Sequence, residues 1–476
     1  MLLYQWLSEV TRKYGSAKAL VYRDTYLSWR GLAHRVDRRA QELASLGIGK
    51  GQWIGLMLGN VPDFAILALS LSKLGATVVP LDPTMGAREL GVTLELAPLR
   101  GLITRPRGGV DQPQTPLLGT RANGGKKTEL VEVRRRLQGT LLTCSLYKRP
   151  DGPPPGAEVV LFTSDSMGEP KGVLRTTANL VAGTEQLRAT LEITPEDRIL
   201  TTVRLHHAYG FDVGLCLSLR YGATLYIEDD VAPKRVAKIL REQEIDVLPG
   251  NPSLYMGLAK VPTAKSLKQS RARYFSSGEP LGEATADAFR QGWGIRILAM
   301  YHTTEAHAIA LDRKGQNPDS VGKAVEGVSV RIGEGDSVWV RSSAVAQDAI
   351  SLAPARPVKR NEVPIGRMDA EGWYRTGDRG RLDRTGRLYL TGREDDLVKV
   401  DGKRVALGEV DACLESFPKI KAAQSRLVTD PQSGPMVVAS VVLSGKCVAE
   451  EIIDHCARNL APYKVPRRIE FCERLP

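Results

Sequence analysis

From Ala19 onward, short apolar runs alternate with longer segments whose apolar residues recur at helical spacing, and this rhythm narrows the choice of fold more than any other feature. Residues 19–22 read as a strand, 28–46 as a helix with Arg and Glu on its outer face, 52–58 as a buried strand, 61–73 as a helix and 76–81 as another strand. Strands joined through helices pair in parallel, because such a crossover needs a dozen or more residues, and the helices must then cover the sheet faces. The expected class is α/β, with a large N-terminal domain of parallel-type sheets and helices.

The rhythm returns as a helix at 178–190, strands at 198–204 and 223–227, a helix at 233–243 and strands at 246–249, 274–277 and 295–300. The strand ends after Phe162, Arg204, Ser276 and Met300 all carry polar or glycine-rich sequence. Ligands of open α/β sheets sit at the carboxyl ends of strands, so one shared site is expected there. From Val328 the pattern turns to short strands at 328–332, 338–341, 373–375, 381–383 and 388–391, a small antiparallel β unit packed on the sheet. The charged break at 392–396 suits a hinge, and a small mobile α+β C-terminal domain is expected beyond it: a strand at 398–400, a helix at 408–417, a strand at 436–443 and a helix at 448–460. The boundary is placed between 1–394 and 395–476. Residues 105–156 are rich in Pro, Gly and basic residues around a helical patch at 129–137, whose Arg134, Arg135 and Arg136 read as a solvated helix face, docking of an acidic partner being the alternative.

One stretch carries the chemistry. Residues 158–162 read as a buried strand that opens into Thr163, Ser164, Asp165, Ser166, Met167, Gly168, Glu169, Pro170, Lys171 and Gly172 before a helix-like run near Thr176. Hydroxyls and backbone N–H groups can face an anion, glycine lets the backbone approach it, and lysine adds a point charge. Taken alone, the stretch is equally an ordinary polar loop, and the Asp165 carboxylate would repel a phosphate.

Composition bounds the rest. A chain of 476 residues has room for two or three packing units, and 42% apolar with 25% charged residues is a globular balance. The first residues lack a secretory or spanning apolar run, so a cytoplasmic protein without a transmembrane segment is expected. Six scattered cysteines lack C-x-x-C spacing and six histidines lack an H-E-x-x-H pattern, which argues against a zinc site or disulfide framework. The net charge of +12 lies wholly in the first 394 residues, since the remainder holds twelve Lys/Arg and twelve Asp/Glu. That suits an anionic small ligand and leaves peripheral contact with an anionic membrane open. No nucleic-acid-binding module accompanies the charge.

Taken together, the strand-end clusters resemble the AMP-forming adenylating superfamily of acyl-CoA synthetases, nonribosomal adenylation domains and firefly luciferase. The resemblance runs from Leu69 to Pro466. The family's T-S-G-[ST]-T-G-x-P-K-G loop is met by Thr163, Ser164, Ser166, Gly168, Pro170, Lys171 and Gly172, and its A-G-A-x-x-V-P-L-D-P segment by residues 74–83. His207-Ala208-Tyr209-Gly210 resembles H-x-x-G beside the acyl pocket, and the segment Gly278-Glu279-Pro280 resembles the stretch that passes the adenine. Tyr301-His302-Thr303-Thr304-Glu305 is similar to Y-G-x-T-E, which implies Tyr301 along the adenine, Thr304 at phosphate and Glu305 on magnesium. Tyr374-Arg375-Thr376-Gly377-Asp378 is similar to Y-x-T-G-D, whose aspartate takes the ribose hydroxyls. Residues 392–405 resemble G-R-x-D-D-x-[IV]-K-x-x-G-x-R-[IV], implying Arg393 at the ribose, Asp395 as hinge, Lys399 as a cofactor-binding residue and the loop near Gly402 along the thiol tunnel. Singly, Asp378 is also a turn cap, Arg393 a partner for Asp395 or Asp396, and His207 a core histidine.

The resemblance implies a two-step ATP- and Mg2+-dependent ligase in which Lys171, Thr304, Glu305 and His207 serve catalysis. A carboxylic acid becomes an acyl-adenylate, which a thiol then opens. Tyr209, Phe211, Leu254 and Met256 point to an apolar acid, with CoA as acceptor. A separate acyl carrier protein bearing phosphopantetheine is the alternative acceptor. Three departures raise another alternative, a nucleotide- or acyl-AMP-binding member that does not adenylate. Asp165 stands for glycine, Met167 for a hydroxyl residue, and the family's terminal lysine would lie past Pro476, as in a chain cut short.

Overall fold

Why a run such as Pro62–Leu74 forms a helix is legible at both of its ends. Proline occupies the first turn, and Gly75 closes the last in the left-handed conformation (φ 78°). Everything from Phe64 to Ser72 is buried, so the helix is apolar nearly all round and lies inside the molecule. The computed structural model describes residues 2–105, 133–137, 142–147, 156–164, 170–262, 271–317, 319–351, 363, 365–394, 397–400, 402–430 and 434–472.

Two large sheets carry the architecture. The first runs in the order Asp348–Ser351, Pro170–Thr176, Ala157–Ser164, Thr77–Pro80, Trp53–Met57, Leu99–Thr104, Thr143–Leu146, Val133–Arg136. Its centre is parallel and its flanks antiparallel. The second has thirteen strands. Lys18–Tyr22, Thr224–Ile227, Arg198–Thr201, Val247–Gly250, Arg273–Ser276 and Ile297–Thr303 are parallel neighbours, as the alternation required. Ile297–Thr303 then pairs antiparallel with His307–Leu311, and the sheet continues through Gly322–Ala324, Arg387–Arg393, Tyr374–Leu382, Ser337–Arg341 and Ser329–Ile332. The antiparallel strands expected from Val328 thus extend the parallel sheet edge to edge. The pairing direction changes from parallel to antiparallel at Ile297–Thr303.

Beyond residue 394 a hairpin of Leu397–Val400 and Lys403–Ala406 precedes a three-stranded sheet of Ile420–Asp430, Gly434–Leu443 and Arg468–Phe471. Leu407–Glu415 and Ala449–Asn459 cover it, and Val405, Val410, Leu414, Val437, Val441 and Ile452 form a core of its own.

Two sequence expectations need correction. Residues 133–136 are a strand paired with Thr143–Leu146, not the end of a helical patch, because cross-strand pairing overrides the weak helical preference of an arginine triplet; residues 129–132 lie outside the described residues. The polar stretch after Phe162 does not lead straight into a helix. It joins the antiparallel strands Ala157–Ser164 and Pro170–Thr176, with Thr163 opposite Lys171, and the helix Thr177–Leu191 follows only after the second strand. An anion held there would therefore not sit on a helix N-terminus. Among the described residues no helix is long and apolar enough to cross a membrane, and all six cysteines are free thiols.

Candidate active site

The turn at 303–306 lies where the second sheet changes direction, and it gathers the expected residues. Tyr301, His302 and Thr303 end a strand buried along most of its length, and Glu305 is 4% exposed. Lys171 comes from the other sheet, and its Nζ lies 3.3 Å from Glu305 Oε1. Two of the four polar strand ends therefore meet across the sheets.

A second group forms over the same strand. The Tyr301 hydroxyl donates to Asp378 Oδ2 at 2.5 Å, and Arg393 Nη1 donates to Asp378 Oδ1 at 2.7 Å. Asp378 is mid-strand in Tyr374–Leu382 and buried, so it caps no turn. Arg393 faces Asp378 directly across the strand pair, which makes Asp378 one partner; Asp395 and Asp396, its other candidates, lie outside the described residues. Burial, with the Asp378 carboxylate beside it, pushes the Tyr301 phenol well above its ordinary value. Glu394, next to Arg393, pairs with Arg375 at 2.5 Å.

A third group brings the small C-terminal unit onto the large one. The Gly402 N–H donates to Glu279 Oε1 at 2.7 Å. Gly278 sits at φ +103°, and a Cβ there would come within 2.9 Å of the Gly402 Cα, so the two backbones can touch only because residue 278 is glycine. Pro280 is exposed beside them, and Lys399 lies in the hairpin that ends at Gly402. Lys403 Nζ bonds Asp82, whose Oδ2 lies 3.4 Å from His206 Nε2. Burial opposes charge on Asp82, but His206 and Lys403 outweigh it and hold the carboxyl well below the usual range.

His207 follows His206 of this third group in the chain. It is half-buried and its Nδ1 accepts from the Tyr209 N–H at 3.3 Å, capping the short helix that starts at Ala208. Tyr209 and Phe211 are 4% and 0% exposed, packed in the main core, whereas Leu254 and Met256 are half-buried. Gly210 is sterically required. A Cβ there would fall 2.3 Å from the Arg204 carbonyl oxygen. Gly210→Ala is expected to lower stability by about 2 kcal/mol, read as a shifted urea midpoint with unchanged slope.

Asp165, Ser166, Met167, Gly168 and Asp395 lie outside the described residues, as does the side chain of Ser164. Thr163 is described and half-buried.

Sequence reasoning missed a buried cluster behind the turn: Arg175, Asp212 and His307, joined by His302, which stands where the Y-G-x-T-E pattern has glycine. A lone carboxylate in the apolar run from Phe211 to Leu219 was the available signal, because an unpaired buried charge is untenable. A buried lysine, Lys464, was missed as well. It reaches Glu89 of the large unit and Glu409 of its own.

Would the residues present fit a nucleotide with magnesium? Among the described residues no three metal-ligating side chains converge. Glu305 offers one hard oxygen donor beside a lysine, which suits a cation that takes most of its ligands from phosphates and water. The donor set fits.

A parallel sheet continued by antiparallel strands, with its site where the pairing direction changes, an acidic acceptor on another strand of the same sheet and a small docked C-terminal unit define an adenylate-forming enzyme fold. The comparisons agree: the AMP-binding enzyme family matches residues 7–342, its C-terminal domain matches 409–476, and the chain belongs to this family. Within it the chain is most like the acyl-CoA synthetases. It is 25% identical over 477 residues to the long-chain-fatty-acid–CoA ligase FadD13 of Mycobacterium tuberculosis, covering 95% of this chain and 90% of that one. It is 27% identical over 476 residues to the medium-chain fatty-acid–CoA ligase of Escherichia coli, covering 94% and 83%. Among solved structures, a double mutant of o-succinylbenzoate CoA synthetase (MenE) from Bacillus subtilis, bound with its product analogue OSB-NCoA, matches with a TM-score of 0.80 at 22% identity over 99% of this chain and 95% of that chain. MenE in complex with ATP and magnesium gives 0.66 at the same identity, over 99% and 96%.

Proposed function

We propose that this chain joins a carboxylic acid to the thiol of coenzyme A in two half-reactions, with ATP consumed to AMP and pyrophosphate. The observation that carries the reading is the convergence on one turn of the Lys171–Glu305 pair and the Tyr301–Asp378–Arg393 group. Asp378, held between its two donors, is the acceptor for a ribose diol, and Arg393 orients it. Lys171 and Thr304 face the phosphates, and Glu305 supplies one oxygen to magnesium, which neutralises phosphate charge when bound. Thr163 and the loop after it, with Ser164, Ser166 and Gly168, complete the phosphate cradle. The adenine lies along Gly278, Glu279, Pro280 and Tyr301. Catalysis is positioning plus charge stabilisation at the α-phosphorus, and His207 stands by the acyl carbonyl.

We place the domain boundary after residue 394, supported by the separate core beyond it. The small unit is docked with Gly402 against Glu279, and the match is better to the relative bound with a CoA product analogue than to the same relative bound with ATP. Both features support the docked arrangement as the one for thiol transfer, with Lys399 and Gly402 along the thiol path. The named relatives favour free CoA over a carrier protein, and a fatty or other apolar acid as the substrate.

The test is incubation with ATP, magnesium, CoA and a panel of acids of graded length and polarity. Pyrophosphate release with at least one acid, followed by a CoA thioester, is expected. No release with any acid overturns the reading, and AMP binding without turnover would leave a binding protein in its place.

A further inference from the structure

We propose that Arg175 and Asp212 are positioning residues for the acid-activation step: a buried ion pair that holds the turn at 303–306 so that Thr304 and Glu305 face phosphate and magnesium. The inference rests on the reading of this chain as an acid-activating ligase.

Arg175 is 0% exposed and Asp212 1%. Arg175 Nη1 donates to both carboxylate oxygens of Asp212, at 2.8 and 2.9 Å. Its remaining donors leave the pair: Nε donates to the Thr304 carbonyl at 2.9 Å, and Nη2 bonds the same oxygen. A planar guanidinium with two nitrogens on one carbonyl fixes the orientation of that peptide. The next carbonyl is also taken, since Ala346 N–H donates to Glu305 O at 2.8 Å. The Ala306 N–H donates to Thr303 Oγ1 at 3.1 Å. The peptide bearing Glu305 therefore cannot rotate without breaking a buried, charge-assisted bond.

Strand geometry connects this clamp to the site. Lys171 and Arg175 are four residues apart in Pro170–Thr176, so they project from the same face. One strand thus grips the turn twice, with Lys171 at the Glu305 side chain and Arg175 at the Thr304 backbone. Asp212 anchors the grip from behind. It sits in the fully buried π-helical turn Phe211–Cys216, a rare form frequent at functional sites. It also meets His302 Nε2 at 2.9 Å and His307 Nδ1 at 3.1 Å, so both strands flanking the turn are tied to one carboxylate. His307 itself is held at φ +59°, a conformation a histidine keeps only where its surroundings impose it. For stability alone, apolar side chains of similar volume would serve as well as a buried ion pair. What apolar side chains lack is direction, and this pair spends its direction on the turn.

The test replaces the pair by apolar residues of similar size, Arg175→Met with Asp212→Leu, and separately makes Arg175→Lys, which keeps the charge but loses the fork. Pyrophosphate release with ATP, magnesium and a competent acid is measured as a function of magnesium, alongside thiol transfer from a supplied acyl-adenylate. Expected are a fall in pyrophosphate release of roughly a hundredfold in the double variant and tenfold in Arg175→Lys, a raised magnesium requirement in both, and thiol transfer within about threefold of wild type. Unchanged pyrophosphate release in either folded variant overturns the proposal, as does an equal loss in both half-reactions. Should the double variant not fold, Arg175→Lys alone decides. A wild-type protein that releases no pyrophosphate with any acid would instead overturn the ligase reading, so the two failures are distinguishable.

Discussion

Lys464→Met is expected to slow thiol transfer by one to two orders of magnitude while leaving pyrophosphate release intact or faster. Lys464 is 3% exposed and joins Glu409 of the small unit, at 2.9 and 3.0 Å, to Glu89 of the large one. Burial opposes its charge, yet Tyr463, Glu409 and Glu89 hold the ammonium well above the ordinary lysine range. Removing it leaves two carboxylates facing each other across a buried interface, at a cost of about 3–5 kcal/mol. Because one carboxylate belongs to each unit, undocking relieves the repulsion. A bias of about 3 kcal/mol changes the docked-to-undocked ratio by roughly a hundredfold. Only the half-reaction that needs the docked state should lose rate. Adding Glu89→Gln should restore much of the loss, since the pair is coupled. Energy transfer between labels on the two units checks the docking. Equal slowing of both half-reactions would sink this account.

The second large effect is expected at Asp378. Replacement by alanine removes a carboxylate acceptor that offers two oxygens, each charge-assisted bond being worth about 1.5–3 kcal/mol. AMP should bind on the order of a hundredfold or more weakly by calorimetry. It also takes the Asp378 carboxylate away from Arg393 and the Tyr301 hydroxyl, both buried or nearly so, and the thermal midpoint should drop by several degrees. Asp378→Asn keeps the shape and should recover most of the stability but little of the affinity. If AMP binds either variant as it does the wild type, Asp378 is not the ribose acceptor.

Much of this was legible beforehand, unevenly and for identifiable reasons. The parallel strands from Lys18–Tyr22 to Ile297–Thr303 follow from hydrophobic period and length, because a buried strand must be apolar throughout and its helices must be amphipathic. The residues at strand ends were legible as chemistry because polar clusters there serve no core. Residues 133–136 were misread, since charged triplets have no period and pairing with Thr143–Leu146 decides their state. The strand Pro170–Thr176 was missed for a related reason: its two charged residues, Lys171 and Arg175, face the site and not solvent, so the alternation carries no usual meaning.

What the sequence by itself determined is the set of groups available: a lysine loop, a Thr-Glu turn, an aspartate and an arginine at fixed places in an α/β order. Local pattern suffices for that, because periodicity and turn chemistry act over a few residues. Which groups meet was decided only by the tertiary structure. Asp378 took Arg393 and Tyr301 instead of a turn, Arg175 found a carbonyl 129 residues away, and Lys464 found Glu89 375 residues away. Buried charges must find partners wherever the packed chain places them, and the residues on either side can show that a partner is needed, as around Asp212, but not which one it is.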